Sequence, residues 1–279
     1  MRCAKKCCLR HSPGDCQPSD GDGFARDPSR FHALVLLLMA GTRICIIGNS
    51  HLAAFKQGWE YVRNEFPSVE VVFFGALSPE LSTLEVCDGA LIGSEGARSA
   101  FRTTSGGPDA IRDEYDCYVV CGARIAANIL AELYQPHFSQ DLLLQIVKAG
   151  VVRSIAIATV AKVRKISSKR IVLFPAAMPI EGLPIENFEQ IEPRYAAEFA
   201  RLYSRALKGV AKDHDIEVCE QPPETLASPL RTKAEFGRNA PRLGEFRGIA
   251  KHRENDPHHM NGDYGASAWR RFFASRITV

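Results

Sequence analysis

The sequence lacks an apolar run of the roughly 18 to 20 residues that a membrane-spanning helix requires. It also carries little excess charge, since a formal net charge of +3 over 279 residues does not indicate a nucleic-acid or anionic-membrane partner. Its glycine-rich stretches match neither a P-loop nor a dinucleotide fingerprint, so no cofactor is predicted. What is present is an ordinary globular composition, 46% hydrophobic and 24% charged, which is enough for one or two folded domains.

The first 38 residues differ from the rest, because their content of Pro, Gly, Asp and Ser offers no helical or strand period. A secretory signal cleaved near Ala40–Gly41 is one interpretation, although a mostly polar segment precedes its apolar stretch 33–40. A zinc knuckle is a second, although paired C-x-x-C spacing is missing from its candidate ligands Cys3, Cys7, Cys8, His11 and Cys16. We favour a third, in which residues 1–38 are a disordered or non-native extension and one folded domain, 39–279, begins near Met39.

The remaining cysteines are scattered, and most of them lie in apolar segments typical of strands: Cys45, Cys87, Cys117, Cys121 and Cys219. Buried, reduced thiols are the simplest interpretation of this pattern. Because reduced thiols persist in the cytoplasm, we expect a cytoplasmic protein.

Short apolar runs alternate with helical periods from residue 43 onward. Strands are predicted over 43–48, 69–74, 115–122, 171–179 and 216–221, and helices over 50–66, 125–134, 139–163, 194–213 and 264–275. Residues 76–112 are expected to be irregular apart from a short hairpin around LEVCDGALIG, and 222–255 to form a long surface excursion. Strands separated by helices pair in parallel through right-handed crossovers. The fold class is therefore α/β, a three-layer α/β/α sandwich with a mainly parallel five-stranded sheet.

Two polar segments stand where a ligand is expected, near the carboxyl ends of strands in such a sheet. The first is G-N-S-H after the first strand, which places Ser50 at the start of a helix, although a serine there is often only an N-cap. The second is D-P-H-H before the last helix, in which a carboxylate at Asp256 can reach and orient an imidazole at His259. Taken alone, this second segment is also typical of a surface loop.

Together the two segments resemble the SGNH, or GDSL-like, hydrolase superfamily, in which a G-x-S turn supplies a serine and a late D-x-x-H supplies its partners. The resemblance implies a flavodoxin-like sandwich over residues 43–275. It also implies that Ser50 attacks an acyl carbonyl, that His259 accepts and returns the proton, and that Asp256 holds the imidazole. The D-x-x-H register selects His259 over His258 as the base, and His51 is expected to be a pocket or cap residue.

The family's oxyanion hole combines the serine N–H, a glycine N–H after strand two and an asparagine from G-x-N-D after strand three. Gly75 is the favoured second donor, with Gly93 and Gly96 as alternatives. The third position departs from the family, because Arg124 stands where the asparagine is expected. Arg124 either replaces that donor or binds an anionic group of the substrate, or it is only a surface residue. Asn128, one helical turn later, is a further candidate.

The favoured function is a serine esterase or deacylase that acts on a small or carbohydrate-linked acyl ester through an acyl-enzyme. A glycan acyltransferase with the same triad is one alternative. A non-catalytic protein that binds a glycan or an anion is another, and Arg124 motivates it. No metal is predicted, since no standard site has the spacing of His252, His258, His259 and Asp263.

Overall fold

The computed structural model describes residues 41–185, 188, 191, 194–243 and 251–275. The predicted extension 1–38 and the predicted start at Met39 lie outside the described residues. The strands are, in chain order, β1 (Thr42–Gly48), β2 (Val69–Gly75), β3 (Glu85–Cys87), β4 (Ala90–Ile92), β5 (Ile111–Arg112), β6 (Cys117–Cys121), β7 (Arg170–Phe174), β8 (Glu217–Val218), β9 (Leu226–Ser228) and β10 (Arg231–Thr232).

The helices follow the predicted order, with additions described below. They are α1 (Leu52–Val62), α2 (Ser78–Ser82), α3 (Glu95–Ser105), α4 (Ala127–Ala131), α5 (Gln140–Val152), α6 (Ile155–Ile166), α7 (Ala196–Asp213) and α8 (Gly262–Ala274). Short 3-10 turns cover Arg63–Glu65, Pro223–Thr225 and Ala234–Gly237.

The central sheet has the strand order β2-β1-β6-β7-β8, and every pair in it is parallel. This is the doubly wound 2-1-3-4-5 order when the sheet's own strands are counted along the chain. Gly48 pairs with both Gly75 and Cys121, so the carboxyl ends of the three neighbouring strands lie level at one edge. The predicted five-stranded parallel α/β sandwich is confirmed.

Alternate residues of β1 enter two separate cores, as the period of a strand requires. Cys45 and Ile47 lie in the core covered by α3, α6 and α7, whereas Ile44 and Ile46 lie in the core covered by α1 and α8. All four residues have no exposed surface, so the sheet is the buried middle layer of three.

Helices α1 and α8 pack with their backbones in direct contact. A methyl group built on Gly265 would lie 1.9 Å from the carbonyl oxygen of Ala54, and one on Gly58 would lie 2.3 Å from the backbone nitrogen of Ala266. The indole N–H of Trp269 also donates to the carbonyl of Phe55 at 2.8 Å. Ser50 lies two residues before the start of α1 and His259 three residues before the start of α8, so this contact influences how the two segments approach each other.

Residues 76–112 are more ordered than predicted. The hairpin is confirmed as β3–β4, and β5 adds a third antiparallel strand to it. The helix α3 was missed, because its buried face consists mainly of small residues and gives a weak apolar period. Ser94 accepts from the N–H of Ala97 and so caps its first turn.

Two further predictions need correction. The helix predicted over 139–163 is two helices, because Ser154 caps the first turn of α6 and the axis bends by 58° there. The excursion 222–255 is only partly at the surface, since Thr225, Leu230 and Thr232 are fully buried and β9 pairs with β10.

Among the described helices, no single one is long and apolar enough to span a membrane, and the bent pair α5–α6 fits a span by length and composition only. Of the cysteines in the described part of the chain, Cys45, Cys117, Cys121 and Cys219 are buried free thiols, whereas Cys87 is exposed in the hairpin.

The glycine contact between α1 and α8 yields a test of stability. We expect Gly265→Ala to lower the free energy of unfolding by about 2–3 kcal/mol, because the added methyl group meets backbone that cannot rotate away. Urea unfolding followed by circular dichroism measures the change.

Gly209→Ala on α7 is the matched control. Its methyl group would meet only the flexible end of Lys148, so the gain in helix propensity of up to about 1 kcal/mol is retained. Equal stabilities for the two variants would contradict the proposed backbone contact.

Candidate active site

Ser50 lies in the turn that joins the end of β1 to α1. The turn is closed by a bond from the N–H of Leu52 to the carbonyl of Asn49 at 2.9 Å. The Asn49 side chain stabilises the turn with two hydrogen bonds. Its amide donates to Ser78 Oγ at 3.1 Å, and its oxygen accepts from the N–H of His51 at 3.4 Å. The hydroxyl of Ser50 is therefore presented at the carboxyl edge of the sheet, where the sequence predicts a site.

Asp256 organises the loop before α8 with its own carboxylate. One oxygen, Oδ1, accepts from the backbone N–H groups of His258 at 2.8 Å and His259 at 3.2 Å. An aspartate that binds the backbone two residues later forms a compact local turn. The other oxygen, Oδ2, is left to interact with side chains.

Asn261 is a site-supporting residue that the sequence analysis missed. Its side-chain oxygen caps α8 by accepting from the N–H of Tyr264 at 3.2 Å. Its amide donates to the carbonyls of Glu235 at 2.9 Å and Arg238 at 3.1 Å, which ties the predicted excursion to the loop. An asparagine before a helical period is a recognisable N-cap signal, but its second set of partners is not readable from sequence.

The structure brings Ser50, His259 and Asp256 into one hydrogen-bonded line. His259 Nε2 lies 2.8 Å from Ser50 Oγ, and His259 Nδ1 lies 2.9 Å from Asp256 Oδ2. A carboxylate can only accept, so Nδ1 carries the proton and Nε2 is the acceptor for the serine hydroxyl. The arrangement is the one needed to withdraw a proton from the hydroxyl when it attacks an electrophile.

Asp256 is held in its ionised form despite partial burial. Burial opposes the charge, but the hydrogen bond from His259 and the backbone donor at His258 outweigh it and keep the pKa of Asp256 well below its usual range. A permanently negative partner is what orients an imidazole and stabilises it when it becomes protonated.

Two more imidazoles surround His259. The ring of His252 stacks on it with centroids 3.6 Å apart and planes 9° apart, and His51 stacks at 5.0 Å and 20°. Burial, with the nearby His259, lowers the pKa of His252 from its usual 6.5 to about 4, and the same causes lower that of His51 to about 3. Both outer rings are therefore neutral near neutral pH.

A shared metal is a poor fit to these residues. The ligand atoms of His252, Asp256 and His259 lie within 4.8 Å of one another. However, both nitrogens of His259 already have partners, Ser50 Oγ at 2.8 Å and Asp256 Oδ2 at 2.9 Å, and His252 Nδ1 lies 3.1 Å from the same Asp256 oxygen. Asp263, which belonged to the alternative metal set, is exposed in the first turn of α8. Hydrogen bonding explains the cluster without an ion.

The predicted second oxyanion donor requires correction. The N–H of Gly75 donates to the buried Thr104 Oγ1 at 2.9 Å, and the side chain of Leu243 packs against the glycine. A substrate oxygen therefore cannot accept from Gly75 in this conformation. The N–H of Ser50 has no acceptor among the described residues and stays a candidate donor.

Arg124 lies in a strained turn directly after β6. Gly122, Ala123 and Arg124 all have positive φ, at 64°, 46° and 66°, and the N–H of Ile125 closes the turn on Gly122. Gly122 lies against the side chain of His51, so this turn borders the serine loop. Strained residues of this kind are concentrated at functional sites.

The two side-chain candidates of this loop differ in their surroundings. The side chain of Arg124 is exposed and has no partner among the described residues. Asn128 is partly buried in α4 and already takes part in a polar or electrostatic contact. Of the two, Arg124 is the side chain available to a ligand.

A cavity of 420 Å³ adjoins the candidate site at Asp256. Asp256 borders it, together with residues of the loop after β7 and of the excursion, among them Glu181, Leu183 and Arg238. Its walls combine apolar and charged side chains, as small-molecule sites do.

Comparisons with known proteins give likenesses in structure only. No family model matches the chain, and no curated protein matches it. A DUF4886 family protein from Bacteroides uniformis ATCC 8492 aligns over 85% of this chain and 83% of its own, with 12% identity and a TM-score of 0.44. A Desulfitobacterium hafniense DCB-2 protein ascribed to the lipolytic G-D-S-L family aligns over 85% of this chain and 99% of its own, with 14% identity and a TM-score of 0.37.

The buried neutral imidazoles predict that stability falls on acidification. The folded-state pKa values of His252 and His51 are lower than their usual value, so the unfolded chain binds protons first as the pH drops below 6.5. Their contribution is complete above pH 6.5 and is lost as the pH falls to about 4 for His252 and about 3 for His51, by up to about 1.4 kcal/mol per pH unit for each group.

Urea unfolding at pH 7, 6 and 5 measures this slope. We expect His252→Phe to make the slope shallower, whereas His137→Gln, at an exposed position, leaves it unchanged. A slope that is the same in wild type and His252→Phe would refute the prediction.

Proposed function

We propose that the protein is a serine hydrolase that cleaves a small or carbohydrate-linked acyl ester through an acyl-enzyme. The observation that carries the proposal is the continuous line from Ser50 Oγ to His259 Nε2, at 2.8 Å, and from His259 Nδ1 to Asp256 Oδ2, at 2.9 Å. An N-cap serine or a surface loop, which were the simpler interpretations, requires no such alignment of residues 209 positions apart.

The proposed reaction has two halves. Ser50 Oγ bonds to the acyl carbon while His259 Nε2 takes the hydroxyl proton, and the resulting imidazolium lies against the Asp256 carboxylate. The ester bond then breaks, and His259 gives the proton to the departing alkoxide. Water repeats the sequence on the acyl-serine, with His259 as base, and releases the acid and free Ser50. If an alcohol replaces this water, the product is a transferred acyl group, so product analysis with added acceptors separates the two activities.

The negative oxygen formed at the acyl carbon requires donors. We assign the N–H of Ser50 as one of them, since it has no other acceptor in the described part of the chain. We assign Arg124 as the second, because its side chain is exposed without a partner, beside the serine loop, in a turn kept at an energetic cost. Four buried free thiols agree with a reducing, cytoplasmic location.

The nucleophile is tested by covalent labelling. We expect a fluorophosphonate probe to label the wild type and not Ser50→Ala, because the probe reacts with a serine activated by a neighbouring base. Turnover of a short nitrophenyl ester is expected to fall at least about 10⁴-fold in the same variant. Intact-mass spectrometry and a colorimetric assay provide the two measurements.

Ser99→Ala is the control, since this serine is exposed on α3 and outside the candidate site. A wild type that is neither labelled nor active on the ester would overturn the hydrolase proposal and favour a binding protein.

The assignment of Arg124 predicts a loss in turnover. Arg124→Ala is expected to lower kcat/KM by about 100- to 1,000-fold, the usual effect of removing an oxyanion donor. Arg124→Asn is expected to recover part of the activity, because asparagine tolerates positive φ and supplies an amide donor.

Arg153→Ala, an exposed arginine at the end of α5, serves as the control for lost positive charge. Arg124→Ala kinetics equal to those of Arg153→Ala would remove Arg124 from the proposed oxyanion hole.

A further inference from the structure

Asp256 Oδ2 has two imidazole partners rather than one. His252 Nδ1 lies 3.1 Å from this oxygen, and His259 Nδ1 lies 2.9 Å from the same oxygen. The two oxygens of the Asp256 carboxylate thus have different partners. Oδ1 accepts hydrogen bonds from backbone N–H groups, and Oδ2 contacts two imidazole side chains.

The three imidazoles form a stack with His259 in the middle. His252 covers one face of the ring at 3.6 Å, and His51 stacks on it at 5.0 Å. Among the described residues no ring contact joins His51 to His252, so they occupy opposite faces of His259. Rotation of the His259 ring away from Ser50 would have to displace both neighbours.

His252 is not equivalent to His259 as a base. Its Nε2 atom is buried and has no hydrogen-bond partner among the described residues, and the side chain is only 10% exposed. Placing a proton there would put a positive charge near Arg242, which also lowers the pKa of His252, and beside the imidazolium that the proposed reaction forms at His259. His252 therefore remains a neutral ring that donates through Nδ1, and it contributes a hydrogen bond without a charge.

We propose that His252 is a positioning residue for His259. The His252 ring covers one face of the His259 ring and shares Asp256 Oδ2 with it as an acceptor. The His259 ring is therefore held toward Ser50 by packing as well as by its own hydrogen bond to Asp256. This proposal rests on the hydrolase function proposed above. The described groups that face His259 are Ser50, Asp256, His51 and His252, and His258 is a further titratable group close to it.

Two substitutions separate the two contributions of His252. His252→Ala removes the ring and the hydrogen bond, and we expect kcat to fall about 10- to 100-fold with KM little changed, as for the loss of other orienting partners. His252→Phe keeps an aromatic face and removes only the donor, so its kcat is expected to lie between those of His252→Ala and wild type. Lys251→Ala is the control, because its side chain is exposed and its backbone keeps the pairing with Pro241.

A second measurement does not depend on activity. In substrate-free protein, the proton signal of His259 Nδ1–H in its hydrogen bond to Asp256 is followed by NMR. Loss of the His252 donor leaves the His259 Nδ1–H as the one imidazole donor to Asp256 Oδ2 among the described residues. The remaining hydrogen bond is then stronger, so its proton signal in His252→Phe is expected to move downfield of the wild-type signal.

The outcomes are distinguishable. A His259 Nδ1–H signal that is the same in His252→Phe and in wild type overturns the positioning role whether or not the protein is a hydrolase. A shifted signal in His252→Phe, when the wild type shows neither hydrolysis nor labelling, supports the coupling of His252 to His259 and overturns the hydrolase function. If His252→Ala does not fold, His252→Phe still decides both measurements.

Discussion

The direct backbone contact between α1 and α8 is the constraint on which the candidate site depends. Gly58 and Gly265 remove the two side chains that would separate the helices, and the space left is smaller than a methyl group. Ser50 and His259 both lie just before the first turns of these helices, so a shift in the helix pair moves the serine relative to the imidazole. A separation of 2.8 Å between two groups 209 residues apart is therefore a consequence of helix packing far from either group.

The same site depends on an uneven distribution of charge. Asp256 is surrounded by donors that keep its pKa low, whereas burial and the nearby His259 lower the pKa of His51 and His252 and keep both rings neutral. A single permanent negative charge thus faces a set of imidazoles, of which one has access to a serine hydroxyl. In a partly buried site such a charge acts strongly, because little water is present to screen it. Such an environment would stabilise the imidazolium that the proposed reaction forms at His259.

The differences between the predictions and the structure have common physical causes. Gly75 was expected to donate to a ligand, but its N–H donates to Thr104 Oγ1 instead. Thr104 lies on α3, a helix that the apolar pattern did not reveal. The segment 222–255 was interpreted as a surface excursion because it is polar. However, the carbonyls of Glu235 and Arg238 in this segment accept hydrogen bonds from the side chain of Asn261. In each case the partner is remote in sequence and polar, and neither property produces a period along the chain.

What the sequence by itself determined is the alternation of buried strands and helices, and with it the parallel sheet and the edge at which Ser50 emerges. It also carried the D-x-x-H segment, since Asp256 and His259 are close enough along the chain for a local turn to join them. Tertiary structure alone decided the rest: the approach of Ser50 to His259, the stacking of His51 and His252 on His259, and the hydrogen bond from the Gly75 N–H to Thr104. These contacts depend on distances across the sheet and between helices, which a linear pattern of hydrophobicity and spacing does not contain.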